Sequence, residues 1–261
     1  MMRNIGLNLI MWHSYADHSK TSHSIKLLRE VWLDINKDTS ERMQARLYNS
    51  MRDYLNGVAL QANYRNNGVV PTVEEYMALR VASSGMFFFF ILTEYGLGME
   101  LDEEALQNET LQKLIVVSNN QVSITNDLVS CHLELHRGDY FNLPAIIYSN
   151  DHECIRELIP ATSMLINAAP GCCGCNDRRG QESFVDALEC AKRMAEEEEK
   201  EWVRLAEELM KSELMKRKPV IEAYVRELGH WVSANKEWSP KTARYKQALL
   251  RATAPAGCET A

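Results

Sequence analysis

The 261 residues suit one large domain or two small ones, and a composition 46% apolar and 25% charged supplies a sizeable core, which excludes a disordered or fibrous chain. A net charge of −7 without a basic block excludes an ordinary nucleic-acid binder, so an anionic substrate would have to be met by local cations or bound metal. Seven cysteines, an odd number with no framework spacing, favour a reducing compartment, and no run has the length of a membrane span or the pattern of a signal peptide, so a cytoplasmic protein is expected.

Helical periodicity dominates from the first element onward. Ser24 to Ile35 carries a stripe of Ile25, Leu27, Leu28, Val31, Trp32 and Ile35. Ser40 is the expected N-cap of a helix running toward Tyr64, with Met43, Leu47, Met51, Tyr54, Leu55 and Val58 on one face, stopped by N-N-G at 66–68. Thr72 and Glu75 form a capping box for the next helix, which reaches Arg80 and breaks at A-S-S-G, 82–85. The run Met86–Leu92 follows, ended by Gly96 and Gly98. A long helix is predicted from about Leu106 to Arg137, stopped by Gly138-Asp139. Further helices are predicted over Phe184–Met215 and Val220–Ala234. No alternating strand pattern and no internal repeat occur. The fold class is all-α, a helical bundle around a central cavity in a single domain over 1–261.

Residues 152–181 interrupt the pattern and read as a loop insertion. Its Cys172, Cys173 and Cys175 do not match a zinc spacing, and unpaired loop thiols are the simpler reading.

The segment Asn126-Asp127-Leu128-Val129-Ser130-Cys131-His132-Leu133-Glu134 carries the strongest chemical signal. Asn126, Ser130 and Glu134 stand at i, i+4 and i+8, so they share one helix face. An amide oxygen, a hydroxyl and a carboxylate are all hard oxygen donors, the kind magnesium takes. A single charged ligand leaves the ion able to accept oxygens from a substrate. Taken alone, the same three residues would also suit a solvated polar stripe.

This segment resembles the second metal-binding motif of microbial class I terpene synthases, Asn/Asp-Asp-x-x-Ser-x-x-x-Glu. The resemblance implies Asn126, Ser130 and Glu134 as ligands of Mg2+. W-V-S-A-N-K-E-W-S-P-K-T-A-R-Y at 231–245 is similar to the family's C-terminal signature, which implies Arg244 and Tyr245 as donors to diphosphate. Y-M-A-L-R at 76–80 resembles the helix that carries the family's diphosphate-sensing arginine, implying Arg80, with Ser83 and Ser84 at the break where a backbone carbonyl faces the cation. Together these patches imply a terpene cyclase that ionises a prenyl diphosphate. Farnesyl diphosphate is the first choice and a twenty-carbon substrate the alternative. Phe87, Phe88, Phe89, Phe90 and Trp238 are candidates for an aromatic lining, or for plain core. The resemblance leaves room for a homodimer.

Three departures stand beside it. No D-D-x-x-D pair is found among Asp17, Asp34 and Asp38, so the chain reads as beginning after the helix that would hold it. Leu133 stands where the family has a lysine, with Arg137 one turn on as a substitute, and the 152–181 loop is longer than the family's connection. These raise the alternative of a catalytically impaired protein that binds diphosphate or a partner without turnover. A chain-elongating prenyltransferase ranks last, for want of two aspartate-rich motifs.

Overall fold

The protein's structure, a computed structural model, describes residues 23–151, 178–243 and 245. Every regular element among them is helical: α1 (His23–Asp38), α2 (Glu41–Asn67), α3 (Val73–Ser83), α4 (Met86–Gly96), α5 (Glu103–Leu106), α6 (Glu109–His136), α7 (Leu143–Asp151), α8 (Arg178–Met210), α9 (Glu213–Arg217) and α10 (Ile221–Trp238), with a 3-10 turn at Ser239–Lys241.

The caps explain most boundaries. Ser40 accepts from the Met43 N–H, and Gly68 closes α2 in the left-handed region. The Thr72–Glu75 capping box is present in both directions. The helix expected from about Leu106 is α6, which starts three residues later because Asn108 caps it by accepting from the Leu111 N–H; the short α5 precedes it and ends at Leu106. Likewise the helix expected to reach Met215 stops at Met210, and Ser212 caps the short α9. Helix α7, not anticipated, follows the Gly138 turn, with Pro144 in its first turn. Of the loop expected at 152–181, residues 152–177 lie outside the described residues, and Arg178 already opens α8.

Helix α6 is the axis of the bundle, packed along α8 and flanked by α10, α7 and α3. Around its C-terminal half, Ile124, Cys131 and Leu135 meet Tyr76 and Leu79 of α3 and Ile146 of α7. Around its N-terminal half, Leu111, Leu114 and Val117 meet Phe90, Leu205, Leu209, Tyr224 and Leu228. The stripe expected on α2 holds for Met43 and Leu47 but fails for Leu55 and Val58, which are exposed. The close contact of α2 is made by Gly57, where an added Cβ would stand 2.9 Å from the Ser83 amide nitrogen and 3.0 Å from the Ala82 Cβ. Only glycine lets α2 cross the α3 terminus at that distance.

Val73–Gly96 is long and apolar enough to cross a membrane by composition. It is two helices meeting at a break, with Tyr76, Leu79, Phe90 and Ile91 in the core. The break is held by Gly85 at φ 76°, and by the Ser84 hydroxyl, which donates to Asn119 Oδ1 of α6 at 2.5 Å and accepts from the Met86 N–H.

Candidate active site

Helix α6 buries Ser118, Asn119, Gln121, Ser123, Asp127 and Ser130 in the middle of the bundle. Burying such groups is unfavourable unless each finds a partner. Ser118 does: its hydroxyl donates to the Leu114 carbonyl and accepts from Trp202 Nε1 at 2.9 Å. Asn119 Nδ2, Gln121 Nε2 and Ser123 Oγ are buried with no protein partner, as is Ser83 Oγ across on α3. An orphaned polar atom costs about 1–3 kcal/mol. A concentration of them on one central helix has no packing explanation.

One turn beyond this stretch the side chains converge on a second element. Asn142, fully buried before α7, donates from Nδ2 to Glu134 Oε2 at 2.9 Å and to the Asp127 carbonyl at 2.9 Å, with Ser130 Oγ at 3.4 Å. Ser130 and Glu134 are therefore gathered at one amide nitrogen. Asn126, one turn N-terminal to Ser130, donates from Nδ2 to the Tyr245 hydroxyl at 3.1 Å, which leaves its carbonyl oxygen outside that bond. Burial raises the Glu134 carboxyl above its ordinary range, against the lowering effect of the Asn142 hydrogen bond, and the Asp127 charge raises it further.

Asp127 faces the other way and forms the most buried charged cluster here. Its Oδ2 accepts from the Tyr76 hydroxyl at 2.6 Å and the Leu143 N–H at 3.2 Å; its Oδ1 accepts from Arg80 at 2.8 Å. Burial pushes the Asp127 carboxyl up while Arg80 and Tyr76 oppose the rise. For Arg80 burial works against the charge, and Asp127, Tyr76 and Glu134 together more than offset it, so the guanidinium is held ionised. Arg80 Nε is buried without a partner. Burial also raises the Tyr76 hydroxyl well above its ordinary value, so it stays a donor.

A cavity of about 580 Å³ opens beside the N-terminal half of α6, lined by Val81, Ala82 and Gly85 at the helix break, Phe87 and Phe90 of α4, and Val116 of α6, with Arg46 of α2 and Tyr224 of α10 among its other walls. Val116 lies roughly 15 Å along the helix from Asn126, at 1.5 Å per residue.

The family model described as "Terpene synthase family 2, C-terminal metal binding" matches residues 7–159, more than half of the chain and all of α1 to α7. The chain belongs to the terpene synthase family. It is 28% identical over 216 residues to microbial terpene synthase-like protein 13 of Selaginella moellendorffii, covering 82% of this chain and 51% of that protein. It is 26% identical over 217 residues to sesquiterpene synthase 3 of Postia placenta, covering 83% and 51%. The chain thus spans about half the length of these curated relatives. Among solved structures, 2-methylisoborneol synthase of Streptomyces coelicolor A3(2), in complex with Mg2+ and 2-fluorogeranyl diphosphate, superposes with a TM-score of 0.60 at 23% identity, covering 80% of this chain and 57% of that one. The fold is that of the class I terpenoid synthases, as the sequence resemblance implied.

Within this terpene synthase fold, the structure brings Ser130 and Glu134 together, sets Asn126 beside Tyr245, and joins Arg80 to the same helix through Asp127. Arg244 lies outside the described residues. Arg137, considered as a stand-in for a lysine, is exposed at the end of α6. Of the aromatic candidates, Phe87 and Phe90 line the cavity. Phe88 packs on the Met43–Leu47–Ile91 cluster, Phe89 is exposed against Trp231, and Trp238 is 66% exposed, so these three do not line it. Burial pushes the Cys131 thiol up and keeps it protonated, a core side chain within the motif.

Three partners were not anticipated as site residues: Asp127, Tyr76 and Asn142. Tyr76 was legible in principle, since it stands one helical turn before Arg80. Asn142 was not, because its role depends on a turn that folds the chain back onto α6. No group of three or more His, Cys, Asp or Glu side chains is placed to hold a metal among the described residues. The donor set that fits a hard cation is the mixed one of Asn126, Ser130 and Glu134, beside buried polar atoms that the protein does not satisfy.

Proposed function

We propose that this protein is a terpene cyclase that ionises a prenyl diphosphate, farnesyl diphosphate first, and closes the resulting cation to a sesquiterpene. The observation that carries the reading is Ser130 and Glu134 meeting at one amide, with Asn126 one turn before them, on the buried helix that also receives Arg80 through Asp127. Asn126, Ser130 and Glu134 would hold Mg2+, which when bound neutralises the diphosphate charge and favours its departure. Arg80 gives one N–H to Asp127 and retains others for phosphate oxygens, while Arg244 and Tyr245 would add donors from the C-terminal segment. The carbon–oxygen bond breaks with its electron pair leaving on the diphosphate. These fixed charges oppose less reorganisation than water would. The allylic cation then lies along α6 toward the 580 Å³ cavity, where Phe87 and Phe90 offer ring faces and exclude water until a proton is lost.

The test is incubation of the purified full chain with MgCl2 and farnesyl, geranyl or geranylgeranyl diphosphate, followed by analysis of volatile hydrocarbons. Cyclic product from farnesyl diphosphate, abolished by EDTA and by Glu134→Gln, is expected. A folded sample that turns over none of the three overturns the reading.

A further inference from the structure

Resting on that reading of the Asn126–Ser130–Glu134 set, we propose that Asn142 is the positioning residue that holds Glu134 in its ligating arrangement beside Ser130. Glu134 sits near the C-terminal end of α6, two residues before its last residue, where a long carboxylate side chain has several rotamers open to it. On α6 itself the Ser130 hydroxyl, one turn back, hydrogen-bonds the carboxylate, and the shorter anchor comes from outside the helix. Asn142 comes from the far side of the Gly138 turn. It is fully buried, and one amide group ties the Asp127 backbone carbonyl and Glu134 Oε2 together, each at 2.9 Å.

The stoichiometry supports an orienting role. An amide nitrogen has two hydrogens, and the two short bonds use both. Ser130 Oγ, at 3.4 Å, is a neighbour of that nitrogen and no strong acceptor from it, so its lone pairs stay largely uncommitted. Asn142 engages Oε2 of Glu134 and makes no bond to Oε1, so a cation could take an oxygen of this carboxylate without breaking the orienting contact. The Asp127 carbonyl that Asn142 also grips belongs to the residue whose side chain accepts from Arg80. The Leu143 N–H, next along the chain, donates to that same Asp127 carboxylate. Asn142-Leu143 is thus a clamp across both faces of α6, with the cation ligands on one side and the arginine on the other.

The test measures metal binding directly, by Mn2+ electron paramagnetic resonance titration of the full chain with inorganic pyrophosphate present. Four proteins are compared: the unsubstituted chain, Asn142→Ala, Glu134→Gln and the double variant. Groups that orient a metal ligand typically contribute 10- to 100-fold in affinity, so Asn142→Ala is expected to weaken Mn2+ binding by about 10-fold or more. That loss should disappear in the Glu134→Gln background, because Asn142 acts through Glu134. A merely structural residue would weaken both backgrounds alike. If Asn142→Ala does not fold, Asn142→Ser, which retains one donor, replaces it in the same cycle. Unchanged affinity in Asn142→Ala, or equal losses in both backgrounds, overturns the proposal alone. Absence of Mn2+ binding by the unsubstituted chain overturns the metal site itself, and the proposal with it.

Discussion

Arg80 and Asp127 meet 2.8 Å apart with side chains only 12% and 5% exposed, so a charge on α3 and a charge on α6 are each buried against the other. Removing one partner of such a pair leaves the second uncompensated in the interior, typically at about 3–5 kcal/mol. Arg80→Ala should therefore destabilise the protein by about that amount in urea unfolding. Arg80→Ala with Asp127→Asn should recover much of the loss, though not any turnover. A cost below about 1 kcal/mol for Arg80→Ala would mean that the pair is solvated and the cluster has been misread.

Glu134 gives a pH-dependent prediction. Its folded-state carboxyl is raised above the ordinary glutamate value of about 4.3, chiefly by burial. A raised acid contributes stability that is present below the unfolded value and lost as pH rises through the folded one. In EDTA, Glu134→Gln should thus melt higher than the unsubstituted protein at pH 7, and the difference should close as pH falls into the acid range. Added Mn2+ and pyrophosphate should reverse the order at pH 7. Thermal melts of both proteins across pH check it. A lower melting temperature for Glu134→Gln in EDTA at pH 7 contradicts it.

At Gly57 two effects compete. Alanine gains about 1 kcal/mol of helix propensity over glycine. Its Cβ, however, would stand 2.9 Å from the Ser83 amide nitrogen, and backbone cannot give way as a flexible side chain can. Overpacking costs about 1–3 kcal/mol, so Gly57→Ala should be net destabilising. It should also reduce turnover by displacing the α3–α4 break. Gly96→Ala, with nothing within 4 Å, serves as the control: at the last residue of α4 it should stabilise by at most the same propensity gain and should not destabilise.

The four phenylalanines of α4 divide by environment. Phe90 is 1% exposed, and Phe90→Ala should destabilise by about 3–5 kcal/mol. Phe89 is 43% exposed, and Phe89→Ala should cost less than about 1 kcal/mol and leave product composition unchanged. Phe87 lines the cavity, and Phe87→Leu should shift the ratio of hydrocarbon products with little change in melting temperature. Product profiles of the folded variants decide whether the lining has been assigned correctly.

The helices were legible because their signals are local. Ser40, the Thr72–Glu75 box and the Gly138 stop are each set by a few neighbouring residues, and each stands where the sequence pattern puts it. The short α7 was missed because L-P-A-I-I-Y is apolar throughout and shows no period. The Asn108 cap was readable in hindsight, as an Asn just before an apolar-periodic run. On α2, periodicity tells which residues share a face but not what packs on that face; hence Leu55 and Val58, placed on one face with Met43 and Leu47, are exposed where those two are buried. The proposed cation ligands could be read as a set because their spacing on one helix fixes their common direction. Their supports could not, since Tyr76 and Asn142 reach Asp127 and Glu134 from separate segments.

Asn119 Nδ2, Gln121 Nε2, Ser123 Oγ and Ser83 Oγ are buried without a protein partner, each at a cost to the fold. A ligand bound by the native chain and not by the unfolded one shifts the folding equilibrium by mass action. On the proposed function, resistance to proteolysis should accordingly rise with the concentration of divalent cation and diphosphate.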